Sequence, residues 1–312
     1  MSVRQPFIDR DFYSDPRRKL RSGVVRALSP ALRKAGFDFE LRSFYSPIPN
    51  TKFIPEKRWK RRSAMAGIEF DLERQFAYVE NELAEAIAEF KPPRTATGNR
   101  FDYFLANGLY QGGDADLLYA MIRRHKPGRV LELGAGFSTL VSAMAVRANR
   151  AEGHHTAFTS CDPYANPGSD AHVDGLDEII AVPAEELAPE QYGQLGPGDI
   201  LFIDSSHTVR MGGDVVHLFC EVIPQLAPGV FVHVHDIYLP YEYPRAWMER
   251  LRWYWAEQYL LQALLAGNDR LEVLVGAHAL WREDPDRLRA AIPNIDPDNP
   301  PISFWFRVRE EA

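Results

Sequence analysis

The sequence predicts an α/β fold with a doubly wound, mostly parallel sheet, an antiparallel last strand and a mainly helical N-terminal cap. From Asp114 onward, helical periods alternate with short apolar runs, which is typical of parallel strands joined by right-handed helical crossovers. The last two strand-like runs, 271–275 and 302–309, indicate an antiparallel pair at one edge. Apolar residues recur at helical spacing over 72–90 in an otherwise mixed first part. We therefore predict a cap segment at 1–110 and a sheet domain at 111–312.

The individual elements follow from spacing and from turn residues. Pro127-Gly128 precedes the first apolar run, and Gly267-Asn268 ends the longest helical stretch. The segment 285–301 is predicted to be a loop because it is rich in proline and aspartate. The predicted helices are 72–90, 115–124, 138–148 and 245–266. The predicted strands are 129–133, 157–161, 178–182, 199–203, 230–235, 271–275 and 302–309.

Composition narrows the class of protein. The chain has 312 residues, 46% of them hydrophobic, so it can bury one large domain with an elaboration. Its net charge of -7 argues against a general nucleic-acid surface. Two distant cysteines give no disulfide framework or thiolate metal site, which favours a reducing, cytoplasmic location. No apolar stretch approaches the length of a membrane span, so no membrane partner is expected. The sequence leaves homo-oligomerisation open.

Polar residues lie where the predicted strands end. Glu132 precedes a turn with Gly134 and Gly136, and Asp162 ends the second strand. Ligands of open parallel sheets bind beyond these carboxyl ends, and an acid at the end of the second strand is suited to the two hydroxyls of a ribose. The pattern therefore predicts a nucleoside-containing ligand.

The identity of that nucleoside depends on the turn. The fingerprint of nicotinamide cofactors has a third glycine where this chain has Thr139. A sulfonium cofactor has no pyrophosphate and does not need a helix dipole aimed at phosphate; its amino-acid part can use the turn backbone and Glu132. The turn therefore favours the sulfonium cofactor.

The stretch Glu132-Leu133-Gly134-Ala135-Gly136-Phe137-Ser138 resembles the first motif of the class I S-adenosylmethionine-dependent methyltransferases, with Ser138 at the position of a frequent third glycine. The stretches 202–207 and 232–237 are similar to the subgroup of catechol-type and macrolide-sugar O-methyltransferases. This resemblance implies a seven-stranded Rossmann-like sheet and S-adenosyl-L-methionine as the cofactor. The cofactor-binding residues that it implies are Glu132, Gly134, Gly136, Ser138, Asp162, Glu185 and Asp204.

Chemistry at the acceptor is expected from the ends of the fourth and fifth strands. Asp204, His235 and Asp236 could bind a divalent metal such as Mg²⁺, which would hold and acidify a substrate hydroxyl. Histidine is a softer ligand than Mg²⁺ prefers. The alternative is a metal-free site with Asp204 in which His207 or His235 acts as general base. The sequence does not decide between the two.

The acceptor pocket is predicted from aromatic residues. Tyr238, Tyr241 and Tyr243 follow the fifth strand in a proline-containing loop, where they could line the pocket. Tyr45, with Phe44, could belong to a lid. The tryptophans of 245–266 are expected to pack in the core.

These patterns predict an enzyme that methylates an oxygen of a small molecule, a sugar, polyol or phenolic hydroxyl. One alternative is an NAD-dependent oxidoreductase on a Rossmann sheet, against which Thr139 counts. Another is a non-catalytic cofactor-binding protein. A nucleic-acid methyltransferase is disfavoured by the acidic balance and by the absence of an Asn-Pro-Pro-Tyr-like motif.

Overall fold

The computed structural model describes residues 16–37, 46–170 and 172–310. Its sheet has seven strands in the order β3-β2-β1-β4-β5-β7-β6. Strands β1 to β5 are parallel, and β7 runs antiparallel to both of its neighbours. The α/β fold and the antiparallel end of the sheet are therefore confirmed. The strands are β1 (Arg129–Leu133), β2 (Ala157–Cys161), β3 (Glu178–Ile180), β4 (Ile200–Ile203), β5 (Phe231–Val234), β6 (Leu271–Gly276) and β7 (Phe304–Val308).

Helices cover both faces of the sheet. The longer ones are α1 (Pro16–Lys34), α2 (Leu72–Ala77), α3 (Ala84–Glu89), α4 (Asp114–His125), α5 (Phe137–Ala151), α6 (Glu257–Leu265), α7 (Ala277–Glu283) and α8 (Pro285–Ala291). Single α-helical turns lie at Glu56–Trp59, Pro167–Asp170, Pro189–Gly193 and Asp214–His217, and 3₁₀ turns lie at Thr51–Phe53, Ala184–Glu186 and Ile223–Gln225. Wider π turns occur at Tyr78–Glu82, Leu218–Val222 and Trp247–Leu251.

Two cores result from the alternation of side chains along each strand. One face of the sheet packs against α2 to α5 and includes Val130, Ile200 and Phe202. The other face includes Leu131, Leu201 and Ile203 and packs against α6 and the helical turns of 214–222. Because the central strands are buried on both faces, they read as continuous apolar runs in the sequence.

The predicted cap segment packs partly within the first of these cores. Helices α2 and α3, joined by the π turn, contribute Phe76, Val79 and Leu83 to the same cluster as the sheet. Gln75 accepts a hydrogen bond from the backbone N–H of Gly276, which ties α2 to the end of β6. The boundary at residue 110 stays a prediction. Tyr45 and Phe44 lie outside the described residues.

The prediction of one long helix over 245–266 is wrong. The chain forms a π turn, then leaves the helical path at Arg252, which has a φ of 63°, and starts α6 only at Glu257. The carbonyl of His207 accepts hydrogen bonds from the N–H groups of Ala256 and Glu257. The start of α6 is thus held by a residue 49 to 50 positions away, which helical spacing does not reveal.

The prediction of a loop throughout 285–301 is also wrong. Residues 285–291 form α8, with Pro285 in its first turn and Asp284 as its N-cap, accepting a hydrogen bond from Arg287 N. Proline in the first turn after a capping aspartate is a helix start signal. The proline and aspartate content of this segment therefore marked a helix N-terminus as well as a loop.

Within the described part of the chain, no helix is long and apolar enough to cross a membrane. Both cysteines are free thiols, Cys161 buried and Cys220 exposed.

Candidate active site

A sharp glycine turn joins β1 to α5 at the carboxyl edge of the sheet. Gly134 has a φ of 96°, and a Cβ there would lie 1.9 Å from the carbonyl oxygen of Asp204. Its N–H donates to Cys161 O at 2.8 Å, while Asp204 N donates to Leu133 O at 2.9 Å. Only glycine fits between the ends of β2 and β4 at this position. Gly136 differs: it is extended, with a φ of -178°, and nothing lies within 4 Å of a Cβ built on it.

Glu132 lies beneath the turn and is fully buried. Its Oε2 accepts hydrogen bonds from Thr139 Oγ1 at 2.6 Å and Ser160 Oγ at 2.7 Å, and burial raises its pKa to about 7 despite these bonds. Thr139 Oγ1 also accepts the N–H of Gly136 at 2.9 Å. Thr139 occupies the position of the third glycine in the nicotinamide-cofactor fingerprint. Here its hydroxyl connects the turn to the buried acid. Ser138 is buried beside them, where its hydroxyl works with those of Thr139 and Ser160 against the rise in the pKa of Glu132.

Asp162 borders the other side of the turn. Its Oδ2 accepts from Ala135 N at 3.0 Å and its Oδ1 from Tyr164 N at 2.6 Å, so the carboxylate is oriented by backbone groups. A cavity of about 300 Å³ runs from Asp162 past Glu185 to Asp204. The structure therefore places these three predicted cofactor residues around one crevice.

Three side chains meet where β4 and β5 end. His207 Nε2 lies 3.3 Å from both Asp204 Oδ1 and Asp236 Oδ2. One ligand atom from each of the three residues lies within 4.8 Å of the others, a spacing at which they could hold a metal ion. The histidine of this set is His207, whereas the sequence pointed to His235 as the ligand.

Glu257 and Trp255 hold the imidazole ring of His207 in place. Its Nδ1 lies 2.9 Å from Oε2 of Glu257, which is fully buried, and its ring contacts Trp255 with centroids 4.3 Å apart. Burial lowers the pKa of His207, but hydrogen bonds to Asp204 and Glu257 outweigh burial and raise it to about 10. When no cation is bound between His207 and the carboxylates, His207 carries a proton at neutral pH. It therefore cannot accept a second proton as a general base.

His235 lies on the far side of the two carboxylates. Its Nδ1 is 3.7 Å from Asp204 Oδ1 and 3.6 Å from Asp236 Oδ2, and its Nε2 is 3.5 Å from Asp114 Oδ2. Burial disfavours its charged form, but Asp204 and the other carboxylates hold its pKa well above the usual value. Burial likewise raises the pKa of Asp204, and the facing His235 and His207 reverse this and lower it to about 2.

A chamber of about 510 Å³ opens between the glycine turn and this cluster. Asp204, His235 and Asp236 line it on one side, and Trp247, Trp253 and Trp255 on another. The expectation that these tryptophans belong to the core is wrong: Trp253 is 41% exposed.

The three predicted pocket tyrosines are not among the residues that line this chamber. Tyr238 and Tyr243 pack behind Trp247, with ring centroids 5.2 Å and 6.2 Å away. Tyr241 contacts His278, which is buried in α7. The loop carrying the tyrosines supports the wall, while the wall itself comes from the broken helical segment.

Sequence reasoning missed Glu257, Asp114 and the role of Thr139. Asp114, the first residue of α4, accepts hydrogen bonds from the N–H groups of Ile302 and Ser303 and faces His235. No local pattern marks Glu257, because the residue that it contacts is 50 positions away.

The sheet order, the glycine turn and the polar strand ends together define a class I, Rossmann-like cofactor-binding domain. Residues 131–237 match the sequence model of a family described as "Methyltransferase domain". Residues 131–237 thus match a methyltransferase domain, in agreement with the resemblance to the class I S-adenosylmethionine-dependent methyltransferases.

Individual relatives are more distant. An uncharacterized protein of Archaeoglobus fulgidus is 29% identical over 130 residues, which cover 40% of this chain and 58% of that protein. The apo-structure of CmcI-N160 is 13% identical, with a TM-score of 0.41 over 73% of this chain and 84% of the other. MycE, in complex with Mg, SAH and mycinamycin VI, is 20% identical, with a TM-score of 0.29 over 51% of this chain and 38% of the other.

Proposed function

We propose that the protein transfers a methyl group from S-adenosyl-L-methionine to a hydroxyl of a small molecule, a sugar, polyol or phenol. The observation that carries the proposal is the convergence of the glycine turn, Asp162 and the Asp204/His207/Asp236 cluster on one edge of the sheet. The cytoplasmic location favoured by the cysteine content is part of the same proposal.

The residues present fit the cofactor. The open space around Gly136 admits a ligand, and the first N–H groups of α5 have no partner within the helix, so they suit the carboxylate of the methionine part. Asp162 is oriented to accept the ribose hydroxyls, and Glu185 lies along the same crevice for the adenine. Glu132 supports the turn from beneath. It accepts a hydrogen bond from the hydroxyl of Thr139, and that hydroxyl accepts the N–H of Gly136 in the turn.

The residues of the cluster also fit a divalent cation. Asp204 and Asp236 supply oxygens, and His207 Nε2 faces both of them while its Nδ1 is held by Glu257. A carboxylate behind a histidine is the usual arrangement of metal-binding imidazoles, since it sets the tautomer and the ring orientation. Two oxygens with one nitrogen suit Mn²⁺ or Zn²⁺ at least as well as Mg²⁺. When bound, such an ion would hold and acidify the acceptor hydroxyl.

The side chains would position the reactants for direct displacement. Asp204 and Asp236 face the chamber, where their oxygens can accept a hydrogen bond from the acceptor hydroxyl and orient it. As the new C–O bond forms, the S–C bond of the cofactor breaks, the hydroxyl passes its proton to the Asp236 carboxylate that faces it, and the neutral thioether leaves. The tryptophan side of the chamber would exclude water from the reacting groups.

Calorimetric titration with S-adenosylhomocysteine, alongside NADH, tests the cofactor. Micromolar binding of S-adenosylhomocysteine alone is expected. Binding of NADH alone would make the protein an oxidoreductase candidate, and binding of neither would remove the basis of the proposal. Turnover on no acceptor, despite S-adenosylhomocysteine binding, would favour the non-catalytic alternative.

Titration with Mn²⁺, followed by its electron paramagnetic resonance signal, tests the cation. We expect His207→Gln to weaken Mn²⁺ binding by roughly 10–100-fold, and the matched variant His235→Gln to change it little. The reverse result would assign the site to His235, as the sequence indicated. Equal Mn²⁺ binding in the wild type and both variants would argue against the cluster as a cation site.

A further inference from the structure

The three tryptophans of the chamber form a corner of two aromatic walls. Trp253 and Trp255 stack with ring centroids 4.8 Å apart and an angle of 9° between their planes. Trp247 stands nearly perpendicular to both, at 71° and 78°, with centroids 5.4 Å and 4.9 Å away. We call these three residues the tryptophan corner.

The tryptophan corner is connected to the polar cluster and is packed against further aromatic rings. Trp255 lies between Trp253 on one side and His207 on the other, so the stack leads from the cluster outward. Tyr238 and Tyr243 pack behind Trp247. Within the part of the chain that the structure describes, no hydrogen bond uses the indole N–H of the three tryptophans, which leaves these donors for a ligand.

Charge limits what the chamber can accept. Its lining contains the carboxylates Asp114, Asp162, Asp204 and Asp236, and none of its described lining residues is lysine or arginine. An acceptor bearing phosphate, sulfate or carboxylate would therefore find no lysine or arginine to pair with its charge. A neutral or positively charged acceptor remains.

A cationic acceptor is disfavoured by the partners of these carboxylates. Asp204 and Asp236 face His207 and His235, whereas Asp114 and Asp162 accept backbone N–H groups. The acids are thus already compensated. Moreover, a corner of two walls surrounds a quaternary ammonium less completely than the aromatic box that such ligands use.

The remaining polar groups favour a ring with many hydroxyls over a phenol with one or two. Gln111 and Asn299 line the chamber beside the carboxylates, and the indole N–H groups add donors. A saturated sugar ring has an apolar C–H face that packs on an aromatic plane and hydroxyls at its edge for these groups. We propose that the tryptophan corner is a carbohydrate-binding wall, which holds a neutral sugar ring with one hydroxyl at the Asp204/His207/Asp236 cluster.

This inference rests on the proposed function for its reaction, but it can be tested by binding alone. Saturation-transfer NMR is run with the methyl glycosides of glucose, mannose and rhamnose, with glucose 6-phosphate, with catechol and with tetramethylammonium, in the presence and absence of S-adenosylhomocysteine. We expect transfer to the ring C–H protons of the glycosides, and weaker binding of glucose 6-phosphate than of the methyl glucoside.

The variant Trp253→Ala should weaken glycoside binding about tenfold while retaining S-adenosylhomocysteine affinity, because it removes a stacking surface. Trp253→Phe should restore part of the loss. The matched control is Tyr259→Ala, since Tyr259 has the same exposed fraction of 41% but does not line the chamber. It should leave glycoside binding unchanged.

Three results would overturn the proposal: no transfer to any glycoside, tighter binding of catechol or tetramethylammonium than of every glycoside, or equal losses in Trp253→Ala and Tyr259→Ala. Failure of S-adenosylhomocysteine to bind would count against the proposed methyl transfer instead. The saturation-transfer measurements made without S-adenosylhomocysteine would still test whether the tryptophan corner binds glycosides.

Discussion

Adding one methyl group at each of the two glycines of the turn should separate its structural role from its ligand-binding role. In Gly134→Ala the new Cβ would lie 1.9 Å from Asp204 O, more than 1 Å closer than real Cβ contacts allow, at a φ of 96° that L-residues rarely adopt. The ends of β1 and β4 would have to move apart.

The expected cost has three parts. The unfavourable φ costs about 1–2 kcal/mol, overpacking about 1–3 kcal/mol, and loss of the Asp204 N to Leu133 O hydrogen bond about 1 kcal/mol. We expect Gly134→Ala to lower the free energy of unfolding by about 3–6 kcal/mol. At about 2–4 °C per kcal/mol, the melting temperature should fall by roughly 6–24 °C.

Gly136→Ala is the matched control. Its backbone is extended and nothing lies within 4 Å of the added methyl group, so stability should change by less than about 1 kcal/mol. Gly136 nevertheless lines the chamber, and the methyl group would occupy space proposed for the cofactor. Affinity for S-adenosylhomocysteine should therefore fall about tenfold or more.

Urea denaturation measures the first effect and calorimetric titration the second. A Gly134→Ala protein within 1 kcal/mol of the wild type would refute the steric argument for the turn. Wild-type S-adenosylhomocysteine affinity in Gly136→Ala would mean that the cofactor does not approach this backbone.

Two further predictions concern Glu132, which is buried, and Asp162, which backbone N–H groups orient. Burial raises the pKa of Glu132 from 4.5 to about 7, so the folded protein holds a proton that the unfolded chain releases; the free energy of unfolding should therefore fall by up to about 3 kcal/mol between pH 4.5 and 8. Glu132→Gln should remove that part of the pH dependence in urea titrations of the ligand-free protein, and an unchanged slope would contradict the raised pKa. Asp162→Asn should weaken S-adenosylhomocysteine binding about tenfold and lower the free energy of unfolding by about 1–3 kcal/mol, because the new amide nitrogen cannot accept one of the two backbone N–H groups that the carboxylate accepts. Asp174→Asn, at a side chain 87% exposed, should change neither quantity. Equal affinities in the two variants would exclude Asp162 as a ribose ligand.

The cofactor side of the site could be predicted because it depends on local features. The strand before Gly134 is a continuous apolar run, and the turn residues follow it directly in the chain. Asp162 and Asp204 end β2 and β4, both hydrogen-bonded to β1, so parallel topology alone brings them to the same edge. A rule about strand ends was therefore sufficient to group these residues.

The acceptor side could not be predicted in the same way. Whether 247–256 continues as a helix depends on backbone bonds to His207, and which aromatic residues face the chamber depends on that break. Helical spacing predicted that the tryptophans lie in the core, and the loop position predicted that the tyrosines line the pocket. In the structure the tryptophans line the chamber, and Tyr238 and Tyr243 pack behind Trp247.

The sequence by itself determined the α/β class, the antiparallel edge, the glycine turn and the acids at the strand ends, since each is encoded within a few consecutive residues or by strand order. Only the tertiary structure decided that His207 and not His235 completes the cluster, that Glu257 holds it, and that Trp247, Trp253 and Trp255 form a wall. Trp247 and Glu257 lie 40 and 50 positions after His207 in the chain, and Asp236 lies 29 positions after it. Their geometry is set by the hydrogen bonds that join the start of α6 to the segments after β4 and β5, which no local pattern records.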